Sequence, residues 1–289
     1  VLDNTFGEDT FGPLSVPEIF DRSVAIIVRS AAPILLVGLV CGAIPSIAAD
    51  IAVERLSDEQ LFARVMIDLF GFAMNILNCP ALVYVLKRSM DGEATTAWDA
   101  FAAGLRFARP TFSILFQLVV TSLVLLAILL LVIGIPIALA TLVLGFPYPQ
   151  ARSYASFATF ALWVIVGDYL SFAFFVAITV GISRTGSQRP SVRSARRYMT
   201  TPSQRKRTIG LVLGSTAPYI AVDVLSQFIP RTAFITDDAV AIASNLLLIV
   251  CTAYIAANAV LFERDARVRL EGLDLEMRVL ALTDSRPSA

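Results

Sequence analysis

Histidine is absent from this 289-residue chain. With it go the commonest metal ligand and the only side chain that titrates near neutral pH without perturbation, and hence most hydrolytic triads and zinc sites. Cysteine is scarce. Cys41, Cys79 and Cys251 lie inside apolar runs without CxxC spacing, so they read as small packing residues and not as a redox pair or metal clip. Charged residues make up only 16% of the chain, where a soluble domain carries about 25%. Net charge is zero, which leaves no electrostatic footprint for a nucleic acid. The chain contains no GxxxxGK[ST], GxSxG, HExxH or DxDxDG pattern, and Ser153, Tyr154 and Ser156 have no histidine to activate them. No catalytic residue, cofactor or metal is therefore expected, and the chain does not read as an enzyme. Asp3, Glu8, Asp9, Glu18 and Asp21 argue against a secretory signal in the first 22 residues.

What the chain has in abundance is apolar sequence, 57% of its residues, gathered into runs. About 20 apolar residues in a helix cross the hydrocarbon core, and helices satisfy their own backbone groups there. Runs fall near 30–49, 61–86, 111–146, 154–182, 208–228 and 239–262. No ten-residue alternation suggests a barrel. The expected fold is all-α: a polytopic membrane helical bundle of about six spans. A segment 1–29 would precede a membrane domain 30–262, and a tail 263–289 would follow it. The third run exceeds one straight crossing. Gly134 and Pro136 interrupt it and Phe146, Pro147, Tyr148 and Pro149 close it. Two readings stand: a span ending near 133 followed by an interfacial or re-entrant stretch, or one long tilted helix.

Basic residues give the orientation. Nineteen of the 23 lie in the N-terminal segment, the 87–110 and 183–207 loops and the tail, against Arg55, Arg152 and Arg231 on the other side. The positive-inside rule then places both termini in the cytoplasm, as an even number of spans requires. The localisation expected is a bacterial plasma membrane. Three segments on that side share a layout: Ser15 to Arg22, Thr96 to Phe101 and Ser191 to Tyr198. Each opens with a good helix N-cap, continues as a short amphipathic stretch suited to the interface, and leads into an outward and a returning span. The chain thus reads as three units of interfacial helix plus hairpin.

The run Gly12-Pro13-Leu14-Ser15-Val16-Pro17-Glu18-Ile19-Phe20-Asp21-Arg22, the stretch Ser191 to Leu211, and the ending Phe262-Glu263-Arg264-Asp265 through Glu276 together resemble the glycerophosphoryl diester phosphodiesterase membrane-domain family of bacterial six-span proteins. The resemblance spans nearly the whole chain. It implies fold and topology. It does not imply phosphodiester hydrolysis, because that activity belongs to a soluble barrel fused to some relatives, and no barrel sequence follows the last span. The tail also departs from the family's aromatic-aromatic-Asp opening.

Polar residues inside spans need a reason, since a charged group at the bilayer centre costs roughly 2.5–3.5 kcal/mol on insertion scales. Asp68, Asp168 and Asp223 are candidates for a polar cavity that binds a cation or relays protons; the plainer reading is a protonated Asp bonded to a neighbouring helix. Asn75 and Asn78 with Pro80, and Asn245 and Asn258, either line a path or hold helices together. The 183–207 loop carries Arg184, Arg189, Arg193, Arg196, Arg197, Arg205, Lys206 and Arg207 and no acid. That is a topology determinant resting on anionic headgroups, or a docking site for a lipid phosphate or an acidic partner. In the tail, Arg264, Arg267, Glu271, Asp274 and Arg278 fall at spacings of three and four, as in a solvated helix that continues the sixth span, with side-chain ion pairs. The function expected is an accessory, organising or regulatory membrane component, in contact with membrane lipids or held within a membrane protein complex. The alternative is a small transporter or lipid-handling protein with a polar cavity near Asp168.

Overall fold

The computed structural model describes residues 13–55, 61–144, 148–183, 192–228 and 237–271, and every regular element among them is helical. They are α1 (Val16–Arg29), α2 (Ala31–Gly38), α3 (Ile44–Arg55), α4 (Leu61–Met90), α5 (Ala97–Leu144), α6 (Tyr148–Ser183), α7 (Val192–Thr200), α8 (Pro202–Phe228) and α9 (Asp237–Glu271). α2 and α3 form one passage through a π-helical turn, Leu39–Ala43, after which the Ile44 amide reaches back to the Leu39 carbonyl. Pro45 explains the turn. It has no N–H to give and its ring crowds the carbonyl four residues back, so the preceding turn widens.

Five stretches are long and apolar enough to cross a membrane: Ala31–Ala49, Phe62–Met90, Ala97–Leu125, Val166–Ser183 and Ile242–Leu270. They match the first, second, third, fourth and sixth expected spans. The 27-residue α8 stands where the fifth is expected; its side chains beyond Val222 lie outside those described. Phe62, Leu69 and Phe70 on α4 and Phe112, Phe116, Val120 and Leu123 on α5 are exposed. Leaving such side chains in water forfeits about 1.5–3 kcal/mol apiece, and soluble monomers rarely carry so large an apolar face. The architecture is that of an all-α, multi-pass membrane-type bundle with an exposed apolar face.

Two of the expected N-caps are present. Ser15 closes a capping box on α1: its hydroxyl accepts from the Glu18 amide at 3.4 Å and its own amide donates to Glu18 Oε2 at 2.5 Å. The hydrogen bond from the Ser15 backbone holds the Glu18 carboxyl below the usual carboxylate range, so the box is intact at neutral pH and weakens as pH falls through that depressed value. Thr96 and Asp99 repeat the device at the start of α5, with the Thr96 hydroxyl 2.6 Å from Asp99 Oδ2. The Ser191 cap lies outside the described residues.

α1 and α7 are separate short helices, as expected. The middle interfacial stretch is not: Trp98 to Phe101 form the first turns of α5, a single helix of 48 residues. The helix also runs unbroken through Gly134 and Pro136 to Leu144, which selects the long helix over a separate interfacial stretch up to that point; residues 145–147 lie outside the description. α9 continues past the sixth span to Glu271, as expected of the tail. Its last turns are not a solvated helix, because Glu263, Asp265, Ala266 and Val268 are buried against the ends of neighbouring helices.

Passages alternate in direction, so the N-terminal segment, the end of α4, the start of α5, the end of α6, α7 and the end of α9 share one end of the bundle. Arg29 Nη2 reaches the Gly92 carbonyl at 3.5 Å, and the Ser183 hydroxyl lies 3.5 Å from Glu263 Oε2. α4 ends in a Schellman turn in which the Glu93 amide donates to the Arg88 carbonyl at 2.8 Å, with Gly92 at φ +79° supplying the left-handed residue.

α1 docks into a groove between α8 and α9. Phe20 sits over Gly214 and stacks on Tyr254 with ring centroids 6.1 Å apart. The Ser23 hydroxyl donates to Asn258 Oδ1 at 2.6 Å, both residues being fully buried. Of the two roles open to a span asparagine, this bond gives Asn258 that of joining helices. Ser23→Ala is expected to lower stability by about 1–2 kcal/mol, by leaving that amide oxygen buried without its donor. Thermal unfolding in detergent reads this, and an unchanged midpoint would show the bond to be dispensable.

Candidate functional site

The densest polar arrangement described is a buried ionic clamp at the shared end. Its centre is the Asp265 carboxylate on α9, whose side chain is 0% exposed. Oδ1 accepts from the Leu14 amide at 2.6 Å, and Oδ2 accepts from Arg207 Nη1 at 2.5 Å. Arg269 Nε lies 3.1 and 3.0 Å from the two oxygens. The two guanidinium groups also converge on the Leu14 carbonyl, Arg269 Nη2 at 2.9 Å and Arg207 Nη2 in close contact. Gln204 Oε1, from a residue 1% exposed, accepts from Arg207 at 3.0 Å. Helical geometry brings Asp265 and Arg269 together, one turn apart. Arg207 and Gln204 come from the first turns of α8, and Leu14 from the segment just before α1. A buried carboxylate is tolerable only when its lone pairs are filled in this way.

Around the clamp lies a basic surface. Arg193, Arg196, Arg197, Arg205 and Lys206 are exposed. α7 is amphipathic in the expected sense, with Ala195, Tyr198 and Met199 buried opposite its arginines; its apolar side faces the bundle. The sequence groups Arg207 with this surface, yet it turns inward to Asp265. Arg189 lies outside the described residues.

The intramembrane candidates are not brought into one site by the described side chains. Asp168 on α6 is half-buried and faces Thr216 on α8, whose hydroxyl donates to the Val212 carbonyl at 2.9 Å. Asn78 is buried on α4 beside Gly42 of the π-turn, its Oδ1 lacking a partner among the described residues. Asn75 is exposed on the same helix. Asp68 and Asp223 fall on α4 and α8, and their side chains lie outside the description. α4 continues through Pro80. Asp168→Asn is expected to change stability by less than about 1 kcal/mol, since the amide keeps a partner in Thr216; a larger loss in detergent melting would show that the carboxyl itself is structural.

A second feature is not singled out by the sequence. A small cleft, partly open to solvent, lies between α1, the end of α4 and α9. Arg22 and Arg29 of α1, Arg264 of α9 and Ser89 of α4 give its polar wall, and Ala25, Ile26, Met90 and Leu261 its apolar one. The signal for both features lies in the segments 12–22, 191–211 and 262–276. Leu14, Arg22, Gln204, Arg207, Arg264, Asp265 and Arg269 all belong to them, and they meet at this end of the bundle.

Among the described residues no three His, Cys, Asp or Glu side chains gather as a metal site, and the three cysteines are free. No family profile matches the chain, and neither a curated protein nor a solved structure is found similar to it.

Proposed function

We propose that the chain is a non-enzymatic, six-span organising component of a bacterial plasma membrane, with α8 as the fifth span and both termini cytoplasmic. The observation that carries this reading is the Asp265 clamp. It ties the N-terminal segment, α8 and α9 into one unit at the end of the bundle that bears most of the basic residues. A face locked by a buried, multiply hydrogen-bonded carboxylate is suited to presenting a fixed surface to a partner. Arg193, Arg196, Arg197, Arg205 and Lys206 are the part of that surface available to anionic headgroups or to an acidic membrane partner. The resemblance to the phosphodiesterase membrane-domain family supports the six-span topology and supplies no hydrolytic activity.

The test is gentle extraction of the tagged chain at native expression level, followed by native mass spectrometry. A stoichiometric protein partner that is lost in the Arg193→Gln/Arg196→Gln/Arg197→Gln variant is the expected result. A chain that flies alone from every mild detergent would overturn the organising role. A second reading, transport through a polar path at Asp168, draws on the Asp168–Thr216 contact between α6 and α8. It requires proton or cation flux in proteoliposomes that Asp168→Asn abolishes.

A further inference from the structure

The cleft beside α1 has the composition of an anion site. Residues 22, 25, 26 and 29 follow one another at helical spacing, so α1 presents Arg22 and Arg29 on either side of Ala25 and Ile26. Arg264 enters from α9. Three guanidinium groups line the cleft and no carboxylate does. Among the described residues Arg22 and Arg264 make no hydrogen bond or ion pair. The charges of Asp91 and Glu263 reach Arg264, as does that of Arg22 with the opposite effect, and the charge of Arg22 also reaches Glu18. Like charges brought together at a half-buried site favour a counter-ion. The fourth polar group is independent of the arginines. Ser89 is 6% exposed, lines the cleft, and its hydroxyl has no hydrogen-bond partner among the described residues. A buried hydroxyl left unsatisfied costs free energy, about 1–3 kcal/mol in general, which a bound acceptor oxygen would recover.

The setting selects the source of the anion. The cleft lies where α4 and α9 reach the end of the bundle, which the topology proposed above sets at the lipid headgroups. Val24 and Val28, on the outward side of α1, are 52% and 61% exposed, as expected of a helix resting in the interface. The apolar wall of Ala25, Ile26, Met90 and Leu261 offers a seat for glycerol and the first methylenes of an acyl chain.

We infer that this cleft, walled by Arg22, Arg29, Arg264 and Ser89, binds the phosphate of an anionic phospholipid, with the guanidinium groups and the serine hydroxyl donating to its oxygens. The inference rests on the membrane placement proposed above and not on the organising role. Its test is nanodisc reconstitution of the full chain in phosphatidylcholine with a minor share of phosphatidylglycerol, followed by native mass spectrometry of the retained lipids. Wild type is expected to retain phosphatidylglycerol in preference to phosphatidylcholine. Arg264→Gln and Arg22→Gln should each reduce that preference roughly tenfold, as loss of a charge-assisted hydrogen bond does. Ser89→Ala should reduce it severalfold, and Asp91→Asn, which removes a competing carboxylate near Arg264, should increase it. The Asp91→Asn gain does not depend on a destabilised variant, so it separates binding from misfolding. Displacement by millimolar inorganic phosphate without lipid preference would identify a free phosphate and overturn the lipid assignment. A chain that enters the disc and shows no preference would overturn the site alone. A chain that fails to enter it would overturn the membrane placement and the site together.

Discussion

Asp265→Asn is expected to destabilise the bundle by about 3–5 kcal/mol, the range seen when one partner of a buried ion pair is removed. The reason is what remains behind. Arg207 is 18% exposed and keeps its charge. It would retain only the Leu14 carbonyl and Gln204 as neutral acceptors. Arg269 is 34% exposed and can turn to water, so Arg269→Gln should cost far less. The Leu14 amide would still find an oxygen if the asparagine keeps its rotamer, which makes Asp265→Ala the more severe change. Thermal unfolding in detergent measures all three. The double variant Asp265→Asn/Arg207→Gln should lose less than the sum of the singles, because the second change removes the stranded charge. Strict additivity, or an Asp265→Asn midpoint equal to wild type, would mean that the clamp does not hold this end together and would remove the support for a fixed basic face.

Gly104→Ala is expected to destabilise by about 1–3 kcal/mol, and Gly104→Val by more. Gly104 lies where α5 crosses α4. A Cβ there would stand 2.8 Å from the Leu77 carbonyl oxygen and 3.4 Å from the Ala81 Cβ. The nearer obstacle is backbone, which cannot swing aside, so the two helices would have to separate. Ala81 and Ala100 are fully buried and Ala103 nearly so, in keeping with small residues between membrane helices, where close backbone approach replaces the hydrophobic drive available in water. Gly210 on α8 is the control. A Cβ there meets nothing within 4 Å, so Gly210→Ala should be neutral or stabilising by up to about 1 kcal/mol through helix propensity. Opposite signs for these two substitutions in one detergent melt would establish that the α4–α5 contact, and not glycine content, limits stability. Equal effects would refute it.

Much of the architecture is legible in the amino-acid sequence. Hydropathy is a local property: each window of about 20 residues carries its own transfer free energy into lipid, so five of the expected spans appear where the apolar runs lie. Capping is local too, and Ser15 with Glu18 and Thr96 with Asp99 are found within three residues of each other. Local rules also set the limits of that reading. Trp98 to Phe101 have the pattern of a separate interfacial helix, but nothing between them and the span stops helix propagation, and backbone hydrogen bonding continues through them. The choice at Gly134 and Pro136 is decided the same way, since in lipid breaking a helix costs more than carrying a proline within it.

The site is a different matter. Asp265 belongs to a tail with the pattern of a solvated helix, and Arg207 to a loop with the pattern of a uniform basic surface. Their pairing joins residues 58 apart, and the bond from Leu14 joins residues 251 apart. No local periodicity encodes such distances. By itself the sequence determined that the chain is helical, apolar enough to live in a membrane, and basic chiefly in a few polar segments, because each of these follows from the solvation of short segments. Only the tertiary structure decided which of those charges are buried in pairs and which, like Arg22 and Arg264, are left facing a cleft, because that depends on which helix ends packing brings together.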